Sequence, residues 1–248
     1  MNLQVDLLSE DIGSLKFLSG ERYKAKIAFV SPHARRNSFE QESQCFIGVS
    51  LENRNFTPTR FQSMVEWAAR RFEKCGILIG DHIHRLTLQS TRNMSAETAR
   101  SEALKLGSEF MEESQIILDA YRHCTDFHYL TCSDIQGSTE YENFYSLLKA
   151  FFLEHPGFRE SVETFGRNYH RHQWSQLSEE QQRECLEFSS QYFLEEFSVF
   201  ACLVRKGFRV MAYPGAFSTL AEIAAGDFPG VLDELKELTV VSLQLKRR

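Results

Sequence analysis

The chain has 248 residues, 42% of them hydrophobic and 25% charged, the balance of an ordinary globular protein long enough to bury a full core. A net charge of −6 excludes a protein coated in positive charge for nucleic acid, although it leaves room for a local basic face. No apolar run approaches the ~20 residues that span a bilayer, and the opening MNLQVDLLSEDIG lacks the basic-then-apolar order of a signal peptide, so a cytoplasmic protein is expected.

In chain order, basic residues come first. Lys16, Arg22, Lys24, Lys26, Arg35 and Arg36 stand against a single acid, Glu21, in that stretch. Within it, residues 23–30 (YKAKIAFV) alternate as a strand does. Residues 45–49 (CFIGV) form a short continuous apolar run, the pattern of a strand buried on both faces. Thr57-Pro58 opens a helix, with Pro at the first position where its missing N–H is no loss. Phe61, Met64, Val65, Ala68 and Phe72 mark one face of that helix. Residues 76–80 (GILIG) return as a strand, followed by a helix over 95–121 and a strand over 127–130.

The second half reads as mainly helical. Helices are expected over 139–153 and 157–170, and a long one begins at Ser178, where Ser178 and Gln181 have capping-box spacing. A strand over 208–212 ends in the turn Tyr213-Pro214-Gly215, and a helix over 217–225 and a strand over 238–243 finish the chain. Strands alternating with helices imply an α/β fold of Rossmann type, with a mainly parallel sheet flanked by helices in a single domain over 1–248. Ligands in such sheets bind at the carboxyl ends of the strands. The six cysteines (Cys45, Cys75, Cys124, Cys132, Cys185, Cys202) show no CxxC spacing, so they read as reduced, buried side chains.

Three places at carboxyl ends or on the long helix carry candidate chemistry. Ser50 directly follows CFIGV, and Gly48, on the same strand face, leaves space beside its hydroxyl. The residue two past Ser50 is Glu52, so this is no G-x-S-x-G elbow; a serine here is equally a helix cap or turn former. Tyr192 and Glu196 are four apart and share a helix face, with Val199 extending it and Phe193, Phe197 and Phe200 around it. A carboxylate in that setting either binds an ammonium and exchanges a proton with it, or it lies at the surface beside its twin, Glu195. Tyr213 offers a phenol after a strand, and Tyr-Pro-Gly is also a common turn.

As a set these residues resemble the cyclodipeptide synthase family. CFIGVSLENRNF (45–56) is similar to its nucleophile motif, WAARRF (67–72) sits at the right distance beyond, and Tyr192-x-x-x-Glu196 and Tyr213-Pro214 follow in the family's order. The resemblance runs from about residue 25 to the C-terminus. It implies a domain like the catalytic domain of class I tyrosyl- and tryptophanyl-tRNA synthetases, working without ATP or another cofactor. It also implies transfer of amino acids from two aminoacyl-tRNAs to Ser50 and release of a cyclic dipeptide. Tyr192 and Glu196 would hold the substrate amino group and Tyr213 would position or relay protons. Gly48 and Asn53 would border the site. Phe46, Gly48, Leu78, Val199, Phe200 and Met211 would line the first amino acid's pocket. Pro214 points to the branch with Pro after the second tyrosine, while Asn53 stands where the other branch has Asn.

For tRNA contacts the sequence offers Lys24, Lys26, Arg35, Arg36, Arg70, Arg71, Lys74 and Arg100, together with the 167–174 stretch RNYHRHQW. Asp81-His-Ile-His84 lacks a third ligand, so no metal is expected, and a monomer is expected. Two rivals stand beside the synthase. A serine acyl-hydrolase predicts hydrolysis of simple esters with a catalytic His. A non-catalytic aminoacyl-tRNA-binding module predicts that Ser50→Ala leaves function intact.

Overall fold

The computed structural model describes residues 21–171 and 174–248. Of the positions singled out above, Lys16, and His172 and Gln173 within the 167–174 stretch, lie outside them. Six strands, β1 (Tyr23–Ser31), β2 (Gln44–Val49), β3 (Lys74–Ile79), β4 (Asp126–Thr131), β5 (Val210–Tyr213) and β6 (Thr239–Arg247), form one sheet in the order β1-β6-β5-β2-β3-β4. Every neighbouring pair is parallel except β1 with β6 at one edge. The mainly parallel α/β architecture expected from the sequence is therefore present.

Helices cover both faces, which is why β2 is apolar at successive positions rather than alternating. Phe46 points into a core shared with the later helices, and Cys45, Ile47 and Val49 into a second core on the opposite face. The second core is closed by α1 (Pro58–Ala69) and the far end of α3 (Ala96–Asp119). The first is closed by α5 (Thr139–Glu154), α6 (Pro156–Tyr169), α7 (Glu179–Arg205), α8 (Ser218–Ala225) and α9 (Asp233–Glu237). The expected capping box starts α7: the Ser178 N–H donates to Gln181 Oε1 at 2.9 Å and the Gln181 N–H to Ser178 Oγ at 3.3 Å.

Some boundaries differ from those expected. Helix α1 stops at Ala69, short of Phe72, because the Arg71 N–H bonds back to Ala68 O at 2.9 Å and its guanidinium caps Trp67 O at 3.0 Å. Phe72 then folds onto Trp67 with ring centroids 5.9 Å apart. Tyr213 is the last residue of β5 rather than the first of a turn. Three α-helices were not foreseen: α2 (Asp81–Arg92), the short α4 (Cys132–Gln136) and α9. From β2 the chain moves outward through β3 to β4, then α7 returns it to β5 on the other side of β2. The strand order thus reverses between β2 and β5, and their carboxyl ends flank the crevice where such sheets take ligands.

Candidate active site

Ser50 directly follows β2 and Tyr213 ends β5. Ser50 Oγ lies 2.9 Å from the Tyr213 hydroxyl. The turn after Ser50 is tightly made. Glu52 sits at φ 58°, a left-handed conformation uncommon outside glycine. Asn53 Oδ1 accepts the Asn55 N–H at 3.0 Å, and Asn55 Nδ2 donates to Pro214 O at 3.4 Å. The Asn53–Asn55 turn thereby ties the serine loop to the Tyr213-Pro214 turn. Phe56 and Phe217 flank the Tyr213 ring at centroid distances of 6.0 and 4.9 Å, fixing the phenol against Ser50.

Helix α7 supplies the carboxylates, and the two neighbours have opposite fates. Glu195, the supposed surface twin, is only 4% exposed. Arg85 of α2 forks onto it at 2.8 and 2.6 Å, and Gln136 and Gln191 add donors at 2.9 and 2.8 Å. Glu196 Oε2 is buried with no hydrogen-bond partner. Of the three buried side-chain atoms in that state among the described residues, it is the one on the cleft. A buried carboxyl without a donor resists ionisation, and burial pushes Glu196 up to about 8.

A cleft of about 520 Å³ opens over Ser50, Tyr192, Glu196 and Tyr213, so the structure brings the four candidate catalytic residues together. Its volume is within the usual range for small-molecule sites. Asn53 lines it as well. Beneath Ser50 an inner slot of about 10 Å³ is walled by Gly48, Leu78, Phe200 and Met211 and shares Glu196 and Tyr213 with the cleft. A Cβ at Gly48 would meet Tyr213 Cδ2 at 3.6 Å, so a larger side chain there would fill the slot. Phe46 and Val199 are buried, the Phe46 ring tilted against Phe200 with centroids 5.6 Å apart. Pro214 contributes its carbonyl to Asn55 and lines neither space.

The sequence reading missed the rim of the cleft. His84 Nε2 lies 3.0 Å from Glu52 Oε2, and Arg92 Nη2 is 2.7 Å from both Glu52 oxygens. The Arg92 guanidinium is the main cause of a lowered Glu52 pKa, while burial leads the lowering at His84. Phe165, Phe188 and Phe193 line the same cleft. Asp81-His-Ile-His84 proves to be the first turn of α2: Asp81 accepts from the Ser133 N–H and hydroxyl at 3.0 and 2.5 Å, and His82 pairs with Gln136 at 2.7 Å. Among the described residues no group of three or more His, Cys, Asp or Glu is arranged to hold a metal ion, and no helix is long and apolar enough to cross a membrane.

The basic candidates divide by location. Lys24 and Lys26 are exposed at the β1 edge, Lys24 opposite Lys246 at the carboxyl end of β6. Arg100 is exposed near the start of α3. Arg35, Arg36, Arg70, Arg71 and Lys74 lie around the amino ends of the parallel strands, away from Ser50. Several of these are engaged there: Arg35 with the carbonyls of Lys236 and Glu237, Arg70 with Glu66, Arg71 with Glu40, and Lys74 over the Phe208 ring.

Comparison with known proteins gives one family. The model described as cyclodipeptide synthase matches residues 30–202. Among curated proteins none matches the sequence. A solved CDPS from Fluoribacter dumoffii is 20% identical, with a TM-score of 0.72, and the match covers 90% of this chain and 99% of that one. A Mycobacterium tuberculosis protein, whose structure demonstrates that cyclodipeptide synthetases are related to type I tRNA synthetases, is 15% identical over 84% of this chain and 87% of its own, with a TM-score of 0.64. A cyclodipeptide synthase from Candidatus Glomeribacter gigasporarum bound to Phe-tRNAPhe is 17% identical over 81% of this chain and 88% of its own, with a TM-score of 0.60.

Proposed function

The chain belongs to the cyclodipeptide synthase family, and from that premise we propose that it joins the amino acids of two aminoacyl-tRNAs through an acyl ester on Ser50. The observation that carries this reading is the Ser50 Oγ–Tyr213 contact of 2.9 Å beside the unpaired Glu196 carboxyl, all on one cleft. An aminoacyl ester is already activated, so its transfer to a hydroxyl needs proton management rather than a strong base. Ser50 Oγ attacks the first ester carbonyl. The new ester forms, the bond to the terminal ribose oxygen breaks, and the serine proton passes by way of the Tyr213 hydroxyl to that oxygen.

The amino group of the acyl-serine then attacks the second aminoacyl ester. A peptide bond forms, the second tRNA leaves, and a dipeptidyl ester remains on Ser50. The free amine of that dipeptide attacks the Ser50 ester, which closes the ring and restores the hydroxyl. Each attacking amine must shed a proton. Glu196, with a pKa raised to about 8, exchanges protons with amines near neutrality, and Tyr192, one turn earlier on α7, faces the same cleft to help hold them. Holding each amine beside its ester converts encounters into intramolecular steps. One copy of the chain carries all four groups, so a monomer suffices, and charged tRNA places the reaction in the cytoplasm. Ser50 is bonded to a tyrosine rather than a histidine, which favours transfer over the acyl-hydrolase reading.

The test is intact-protein mass spectrometry after mixing with individually charged tRNAs, alongside analysis of expression-culture medium for cyclic dipeptides. The wild type should carry an aminoacyl adduct and release a cyclic dipeptide, and Ser50→Ala should do neither. A product made equally by Ser50→Ala would overturn the acyl-serine. No adduct and no product from the wild type would put a binding role in front.

A further inference from the structure

Resting on the proposed use of aminoacyl-tRNA, we infer that Arg92 receives a phosphate of the tRNA 3′ end at the mouth of the cleft and that Glu52 occupies its guanidinium until the substrate arrives. Arg92 is the one Lys or Arg among the described residues lining the cleft. It ends α2, at the rim of the wall that also carries Thr87, Ser90 and Thr91. Phe165, Phe188, Phe193 and Phe217 supply aromatic lining to the same cleft. The two histidines on the cleft, His84 and His170, are both held by burial below the ordinary imidazole range, which leaves Arg92 as the fixed cation. An aminoacyl ester reaching Ser50 is attached to a ribose whose 5′ phosphate must follow it in, and in a chain of net charge −6 that anion needs a local partner.

The ion pair has the geometry of a stand-in. Arg92 Nη2 alone donates to both Glu52 oxygens at 2.7 Å, and a guanidinium that donates to a carboxylate can donate in the same way to a phosphate. The pair is accessible, with side-chain exposures of 45% for Arg92 and 37% for Glu52, so exchanging partners buries no charge. Glu52 retains His84 as a second partner at 3.0 Å when the guanidinium turns to the phosphate. Since Glu52 is two residues from Ser50 in a turn at φ 58°, substrate entry is sensed directly beside the nucleophile.

Steady-state synthesis by the full chain, measured with charged tRNA across a series of KCl concentrations, tests this. Arg92→Ala should raise KM for aminoacyl-tRNA several-fold and flatten the log–log salt slope by about one, the signature of one lost phosphate contact. Arg92→Lys should keep the slope because it keeps the charge. Glu52→Gln should lower KM by removing the competitor. Arg122→Ala, an exposed arginine at the amino end of the sheet, should behave as wild type. Wild-type KM and slope for Arg92→Ala would overturn the inference, and so would an Arg92→Lys variant as impaired as Arg92→Ala. Failure of the underlying reading shows separately, as a wild-type chain that forms no adduct on Ser50.

Discussion

Glu196 is the residue whose environment sets the most distinctive behaviour. Its carboxyl titrates near 4.5 in an unfolded chain and at about 8 in the fold. Between those values the folded protein holds a proton that the unfolded chain has lost, so stability falls as pH rises from 4.5 to about 8 and then levels. Glu196→Gln removes that slope. Thermal melts should show the variant more stable than wild type at pH 9 and alike at pH 4, while cyclic-dipeptide synthesis is lost. Equal melting at pH 9 would mean that the carboxylate finds a donor or water in solution. Tyr213→Phe deletes only the hydroxyl that faces Ser50. Single-turnover acylation should slow by about 10²–10⁴-fold, the usual worth of a positioned proton donor, with the folded signal unchanged.

At the scale of elements, the joint between α2 and α7 rests on the Arg85–Glu195 fork, which is nearly dry, with side-chain exposures of 15% and 5%. Removing one member strands a buried charge. Arg85→Ala should therefore lower stability by about 3–5 kcal/mol in urea unfolding. The contrast between Glu195 and Glu196 was not legible in the sequence, because α7 is apolar almost all round from Phe193 to Val204 and periodicity cannot say which carboxylate faces inward. Nor was Arg85 visible as a partner, since it lies 110 residues from Glu195. Helices with one clear apolar face or a capping box, such as α1 and α7, were readable, apart from the last residues of α1. Helix α2 was not: its buried Ile83, Leu86 and Leu88 are interleaved with His, Arg, Thr and Gln, and its first turn resembles a ligand motif. Strand ends and a four-residue spacing drew attention to Ser50, Tyr213, Tyr192 and Glu196, but only the family resemblance joined them into one set, because they converge from three elements.

At the scale of the molecule, alternation of strands and helices was enough to foresee the parallel sheet, but not the strand order. That order makes β6 an interior strand, bonded to β1 on one side and β5 on the other. Deleting residues 239–248 would leave β1 without a sheet partner, strip β5 of one of its two, and remove Thr239, which Arg35 contacts at 3.3 Å. Such a truncation should show no cooperative thermal transition by circular dichroism. A cooperative melt near that of the full chain would mean that the remaining strands re-pair without it.

The pairing of Tyr23 with Arg247 also bears on biosynthesis. The earliest described strand has no sheet partner until the latest has been translated. At about 5–20 residues per second, that wait lasts on the order of ten seconds or more. Tyr213 lacks its β6 neighbour throughout, so the edge of β5 that carries the phenol stays open until Ser242 has emerged to pair with it. A nascent chain would therefore lack that support beside Ser50, and charged tRNA would meet a steadied Tyr213 only once β6 has paired.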